Sequence, residues 1–544
     1  DADSPREGFC MTSLRGSPSH GTQLALRMAC SLLVACGFLC RVACGDATPA
    51  ACFGSHMVLQ RDMPLPVWGS ATAGERVVVS FGGSESAATA GPDGRWIVTL
   101  PPQAASRQPR PLVIRAANEL RFEDVLVGET WLCAGQSNML MPLSRTDDAA
   151  AEIAAADRPR LRFLMVRTAA GGDPPAYTPD QLRRLVPDRF SSGQWTPCTP
   201  QTAGGFSAVG YHLAKALEEA LDVPVGIVCV AVGGSPTEAW ISTAALAAEP
   251  GLAPLVQGDW MQNPALAGWC VERAKQNLAR GKTEAASIPG DALGPNHPFK
   301  PGFLWTSCVE PLVPLAVRGV AWYQGESNAD SPARVAQHAL LLPALVADWR
   351  RRWGRADLPF AVVQLPGLDR PDWPAFRETQ RRAVAAVGHA GLVVTIDLGR
   401  KTDVHPPDKQ PIGRRIAGWA LSTLHGRGAK SAVSPAPRSA RLRADGSVVI
   451  DFDDAGESLT TVDGMPPGHF AAADESGIFQ AVRGRIDAGT IILEPAGGKA
   501  IRRVRYAWSP FPEPRVNLVN AAGLPVTPFE IDVEAGDPRP RSTP

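Results

Sequence analysis

Neither sign of charge is in excess in this chain. Its 54 Lys and Arg are matched by 54 Asp and Glu among 544 residues, and no basic run carries the interleaved aromatics that track a phosphate backbone. Nucleic acid is therefore not an expected partner. Beyond the N-terminal region the chain also lacks any run of about 18 uninterrupted apolar residues, so no membrane span is expected. The cysteines form no CxxC pair and have no histidine spacing suited to zinc. No internal repeat or long low-complexity tract is present. What the chain does have is apolar mass: 44% hydrophobic and 20% charged residues, at a length that exceeds one ordinary domain and can bury large cores.

Residues 1–45 read as a processing segment rather than fold. Arg15 and Arg27 precede an apolar stretch from Met28 to Cys40, and Ala43, Cys44 and Gly45 form a small-residue cleavage site before Asp46. This implies export, to a secreted or periplasmic location. Leu33, Val34, Ala35 and Cys36 also resemble a bacterial lipoprotein cleavage box, which would instead leave a lipid-anchored Cys36. After cleavage at Gly45 the cysteines are Cys52, Cys133, Cys198, Cys229, Cys270 and Cys308. An exporting compartment could oxidise them. They are scattered, however, and Cys133 and Cys229 sit in apolar runs, so buried thiols are expected.

Three regions follow. Residues 46–124 show short β runs at Leu65 to Trp68, Arg76 to Phe81, Trp96 to Leu100 and Leu112 to Arg115, separated by turn residues, which suggests a small sandwich or appended sheet. Residues 125–430 alternate apolar strand-like runs with amphipathic helices, the pattern of a parallel α/β sheet. The runs are Val125 to Cys133, Leu161 to Val166, Val225 to Val232, Gly319 to Tyr323, Phe360 to Leu365 and Leu392 to Ile396. Leu213, Leu217, Ala220 and Leu221 share one helix face. Ser331 and Pro332 open another helix that stops near Gly354, and Phe376, Gln380, Ala383, Val384 and Val387 lie along a third. Residues 431–544 return to short β runs after the linker prolines Pro435 and Pro437.

In open α/β sheets, reacting groups gather in loops beyond the carboxyl ends of strands. Four loops obey that rule: Gly135 to Met139, Gly233 with Gly234, Gln324 to Asn328, and Asp403 to Pro406. Small residues around Ser137 leave its hydroxyl accessible, and Asp403 and His405 supply the carboxylate and imidazole that a serine nucleophile needs. Asp397 and Asp408 are rivals for the carboxylate. The main-chain N–H groups of Ser137 and Gly234 suit the developing oxyanion, completed by a side-chain amide from Gln324 or, as its rival, Asn328. Met139 occupies the last position of a G-x-S-x-G elbow, which disfavours an α/β-hydrolase.

These stretches resemble the SGNH hydrolase superfamily and, within it, the sialate O-acetylesterase-like carbohydrate esterases. The matching residues are Met57 to Arg61, Gly135 to Met139, Gly233 to Trp240, Trp322 to Asn328, Asp403 to Pro406 with Lys409, and Arg505 to Trp508. The resemblance implies a doubly wound, flavodoxin-like α/β catalytic domain flanked by β-sandwich-like domains. It further implies a cofactor-free and metal-free esterase that removes acetyl groups from sugars, such as acetylated sialic acid or acetylated xylo-oligosaccharides, with Ser137, Asp403 and His405 as the triad. Two departures stand out. Many SGNH enzymes place the aspartate three residues before the histidine, where this chain has Thr402, and Leu304 to Pro311 is less like the family pattern.

Supporting roles are expected for Asn328, Glu326 and Trp240, with Glu326 anchoring its loop by hydrogen bonds. Trp240, Trp260, Trp269 and Trp305 could stack on sugar faces, although most are expected in the core. The long connection from Ile241 to Phe303, with a helix near Pro264 to Ala279, is expected to shape the acyl or sugar pocket. The alternatives are a carbohydrate-binding protein without turnover and an esterase for longer acyl chains.

Overall fold

The computed structural model describes residues 46–535 except 174, 284–287, 429–431, 457 and 496–499, and the side chains of residues 282 and 283 are also not described. The processing segment and its lipid-anchor alternative lie outside the described residues.

Six parallel strands form the centre of the molecule. They are β1 (Glu119–Gly135), β2 (Arg158–Thr168), β3 (Val225–Ala231), β4 (Gly319–Tyr323), β5 (Phe360–Val363) and β6 (Ala390–Val393), in the spatial order β2-β3-β1-β4-β5-β6. All six apolar runs of the sequence thus become strands of one sheet. Their near-continuous hydrophobicity reflects burial on both faces. Leu132, Val228, Val230, Val320, Trp322 and Val362 point to one face, where Leu341, Leu345 and Trp349 cover them. Trp131, Cys133, Ile227, Cys229, Tyr323 and Val363 point to the other, beneath Leu213, Leu217, Ile412 and Ile416.

The helices follow the 3.6-residue periodicity of the sequence. After the single turn α1 (Ser137–Leu140) come α2 (Ala208–Leu221), α3 (Pro332–Trp353), α4 (Trp373–Val387) and α5 (Gln410–Leu424). Ser331 caps α3 by accepting from the Arg334 N–H, Pro332 occupies its first turn, and Gly354 ends it with a φ of 62°. The connection from Ile241 to Phe303 contains a helix at Gly268–Asn277.

The N-terminal β region is joined to this sheet without a break. The first half of β1 pairs antiparallel with Ser106–Arg115, and Val58–Gln60 pairs parallel with Leu126 to Gly128. The boundary expected at 124/125 therefore falls inside one 17-residue strand. Glu129 secures the junction: Arg61 and Arg318 hold its buried carboxylate at 2.6 Å and 3.0 Å. At the other end, two four-stranded antiparallel sheets within 436–532 share a core, including Val448, Ile450, Val504, Tyr506 and Phe529, that takes in Val394 and Ile396 just beyond β6. The molecule is mixed α/β with several sheets. The six cysteines are buried and free, and no helix among the described residues is long and apolar enough to cross a membrane.

Candidate active site

The turn after β1 is tied on both sides. Gln136 N–H donates to Tyr323 O at 3.0 Å, and Val232 N–H donates to Gly135 O at 3.0 Å. Gly135 has a φ of 141°, and a Cβ there would lie 2.1 Å from Tyr323 O, so only glycine permits this approach of β1 to β4. Ser137 then opens α1, where its N–H has no intrahelical acceptor.

The loop after β6 brings His405 Nε2 to 2.7 Å from Ser137 Oγ, across 268 positions of sequence. Asp403 does not meet the imidazole. Its Oδ1 accepts the main-chain N–H of His405 at 2.8 Å, and the ring Nδ1 has no hydrogen-bond partner among the described residues. The carboxylate expected to hold the ring thus holds the loop, because the two-residue spacing favours this short turn-like bond. The rival Asp397 is committed to Arg415 through contacts of 2.8 Å and 2.5 Å. Burial, and then the Lys409 ammonium, lower His405 below the ordinary imidazole value, with Asp403 opposing. The ring is therefore neutral at pH 7 and ready to accept a proton.

On the far side of Ser137, a Cβ on Gly233 would lie 3.8 Å from the Ser137 Cβ. Gly234 adopts a φ of 70°, and a Cβ on it would approach the Phe299 ring to 3.0 Å. The Gly234 N–H has no partner among the described residues. Gln324 and Asn328, by contrast, turn away from the serine into the interior. Gln324 Nε2 donates to Asn328 Oδ1 at 2.7 Å and to Ser235 O at 3.3 Å, while its Oε1 accepts from Thr237 at 2.6 Å. Asn328 Oδ1 also accepts the Thr237 N–H at 2.9 Å, and its Nδ2 donates to Glu238 at 3.0 Å. Both amides are fully buried and consumed by this network, so neither can serve an oxyanion as expected. Trp240 is also core: it is fully buried, with Nε1 donating to Ser235 Oγ at 2.9 Å. Glu326 does line the site, and its Oε1 accepts from Asn138. Burial pushes its carboxyl upward, and Oε2 has no partner among the described residues.

These groups line a cavity of about 720 Å³. Its walls include residues that sequence reasoning missed: Arg145, Arg273, Arg370, Asp173, Asp330 and Phe299. None of them stands in a motif, and only tertiary folding gathers them. Of the four tryptophans considered, only Trp269 lines the cavity, at 37% exposure, packed edge-on against Phe299. It comes, with Arg273 and Phe299, from the connection expected to shape the pocket. The His405 loop also has support that the sequence did not signal. Arg515 donates to Gly399 O at 3.1 Å, and Lys401 pairs with Glu513 at 2.6 Å.

Comparison with known proteins agrees with this geometry. A family model described as carbohydrate esterase, sialic acid-specific acetylesterase, matches residues 305–418, which hold both the Trp322 to Asn328 stretch and His405. Sialate O-acetylesterase of Rattus norvegicus is 26% identical, with 85% of this chain and 90% of the relative covered. The Homo sapiens sialate O-acetylesterase is also 26% identical, over 73% of this chain and 74% of the relative. A crystal structure of a carbohydrate acetylesterase from Xanthomonas citri superposes with a TM-score of 0.72 at 31% identity, over 90% of this chain and 100% of that one. With that structure covered from end to end, the chain belongs to the SGNH-type, sialate O-acetylesterase-like family of carbohydrate esterases and is a carboxylic ester hydrolase.

Proposed function

We propose that this enzyme removes O-acetyl groups from sugars through an acyl-enzyme formed on Ser137. The observation that carries the reading is the 2.7 Å contact between His405 Nε2 and Ser137 Oγ, beside two N–H groups, those of Ser137 and Gly234, without an acceptor among the described residues. His405 takes the hydroxyl proton as Oγ attacks the acetyl carbonyl, and returns it to the departing sugar hydroxyl. The oxyanion is held by the N–H groups of Ser137 and Gly234; removing one such donor typically costs about 10² to 10³-fold in rate. Water then attacks the acetyl-serine by the same proton route, releasing acetate. Asp403 serves as the orienting carboxylate, acting through the His405 main chain and through its charge.

This chemistry sits on a doubly wound, flavodoxin-like domain, with an N-terminal β-sandwich-like region that runs into its first strand, Glu119–Gly135, and a C-terminal β-sandwich-like region whose core takes in Val394 and Ile396. Export is included, on the strength of the apolar stretch Met28 to Cys40 and the small residues that follow it. Among sugars, an acidic one such as acetylated sialic acid fits better than a neutral xylo-oligosaccharide. Arg145, Arg273 and Arg370 outnumber Asp173 and Asp330 in the cavity walls, while burial disfavours charge on Glu326. Trp269 offers a face for a sugar ring.

The test is hydrolysis of a chromogenic acetate, followed by acetate release from panels of acetylated sialic acids and xylo-oligosaccharides. Wild type should act on the chromogenic ester, and Ser137→Ala should not. Equal rates for the two proteins would dismiss Ser137 as nucleophile. Faster turnover of longer acyl chains than of acetate would favour a general esterase instead.

A further inference from the structure

Besides the hydroxyl–imidazole contact, the Ser137 turn and the His405 loop are joined through Asn138. Its Nδ2 donates to Val404 O at 2.9 Å and to Glu326 Oε1, while its Oδ1 accepts from Lys409 Nζ at 2.6 Å. Asn138 and Lys409 are both fully buried. The ammonium lies 5.6 Å from the centre of the Tyr323 ring and forms no ion pair among the described residues. A buried, unpaired cation is an expensive way to fill space, since a neutral side chain of similar shape avoids its desolvation.

We propose that Lys409 is a positioning residue: by holding the Asn138 amide in one orientation, its ammonium fastens the Ser137 turn to the His405 loop and sets the field around the imidazole. The inference rests on Ser137 and His405 acting as nucleophile and base. An ammonium on Oδ1 polarises the amide and strengthens donation from Nδ2, which is the bond that reaches the His405 loop. The charged groups facing Lys409 are Glu326, Asp403 and Asp408. Those facing His405 are Lys409, Asp403, Arg145 and Asp173, with Lys409 foremost among them. Burial lowers Lys409 to about 8, which leaves it charged at neutral pH. Its charge opposes the imidazolium, so the imidazole of His405 stays free to accept a proton to lower pH than it would without it.

The experiment compares Lys409→Met, Asn138→Ala and Ser137→Ala in the full chain, using kcat/KM on a chromogenic acetate as a function of pH, with thermal melting alongside. Lys409→Met and Asn138→Ala should each lose about 10²-fold, the scale of a small misplacement of reacting groups. Lys409→Met alone should also move the acid limb to higher pH, because it alone removes the cation. A purely structural lysine would lower the melting temperature and leave that limb in place, which would overturn the inference. A wild-type rate for Lys409→Met would overturn it too. Should Lys409→Met fail to fold, Asn138→Ala decides: an undiminished rate refutes the fastening. Activity remaining in Ser137→Ala would instead remove the underlying reading of the nucleophile.

Discussion

Replacing Asp403 by asparagine separates two ways in which a carboxylate can serve a histidine base. Where the carboxylate bonds the ring Nδ1 and selects its tautomer, the amide costs about 10⁴-fold in turnover. Here the carboxylate accepts the His405 main-chain N–H at 2.8 Å, and an asparagine oxygen can accept the same bond. Only the charge is lost. Asp403 is exposed, so its field reaches the imidazole through solvent and is screened over about 10 Å at 0.1 M salt. The expected loss in kcat/KM is about tenfold or less, shrinking further at about 1 M salt, where the screening length is about 3 Å. Asp403 favours the imidazolium, so its removal should also move the acid limb to lower pH. That is opposite in direction to Lys409→Met and smaller, because Lys409 outweighs Asp403 at the ring. Initial rates on a chromogenic acetate across the pH range of imidazole titration, at both salt concentrations, supply the readout. A loss of about 10³-fold or more with unchanged melting would refute the reasoning, since it would mean that the carboxylate reaches Nδ1 in the reacting enzyme.

Three further outcomes are expected. Burial and the Lys409 charge hold His405 low, so the acid limb of wild-type kcat/KM should lie below about 6.5; a midpoint above the ordinary imidazole value would contradict the neutral ring. Trp269→Ala should raise KM for acetylated oligosaccharides about tenfold through lost stacking while leaving a small chromogenic acetate nearly unaffected, and equal effects on both would reduce Trp269 to a wall. For Glu129, burial works to raise the carboxyl, but His425, Arg318 and Arg61 overcome it and hold the group at about 2 against an ordinary 4.5. A depressed carboxylate contributes stability above its unfolded value and loses it as pH falls through the folded one. The roughly 3 kcal/mol implied should therefore fade between about pH 4.5 and 2 in urea titrations. Glu129→Gln should destabilise the protein at neutral pH and flatten that decline.

Much of the framework was legible in one dimension because its physics is local. A continuous apolar run such as Val225 to Val232 reads as a strand buried on both faces, and Ser331, Pro332 and Gly354 carry start and stop chemistry in their own side chains and φ preferences. The positions of Ser137, Gly234 and His405 followed from a topological rule, that loops after parallel strands share one edge of the sheet. Other expectations depended on which way a side chain turns. Gln324 and Asn328 sit in the right loop but are consumed by Thr237, Ser235 and Glu238, partners found only in the folded chain. Asp403 stands where the spacing puts it, yet its carboxylate meets the backbone rather than the ring.

The order of residues by itself determined the six central strands, the capped helix Pro332–Trp353, the charge balance and the loops from which a nucleophile and a base were expected, since each arises from periodicity or from a single residue's conformational preference. Only the tertiary structure decided the 2.7 Å meeting of Ser137 and His405, the inward turn of Gln324 and Trp240, the gathering of Arg145, Arg273 and Arg370 with Asp173 and Asp330 around one cavity, and the burial of Lys409 against Asn138. Those features depend on distances between residues far apart in the chain, and such distances are set by how the layers pack.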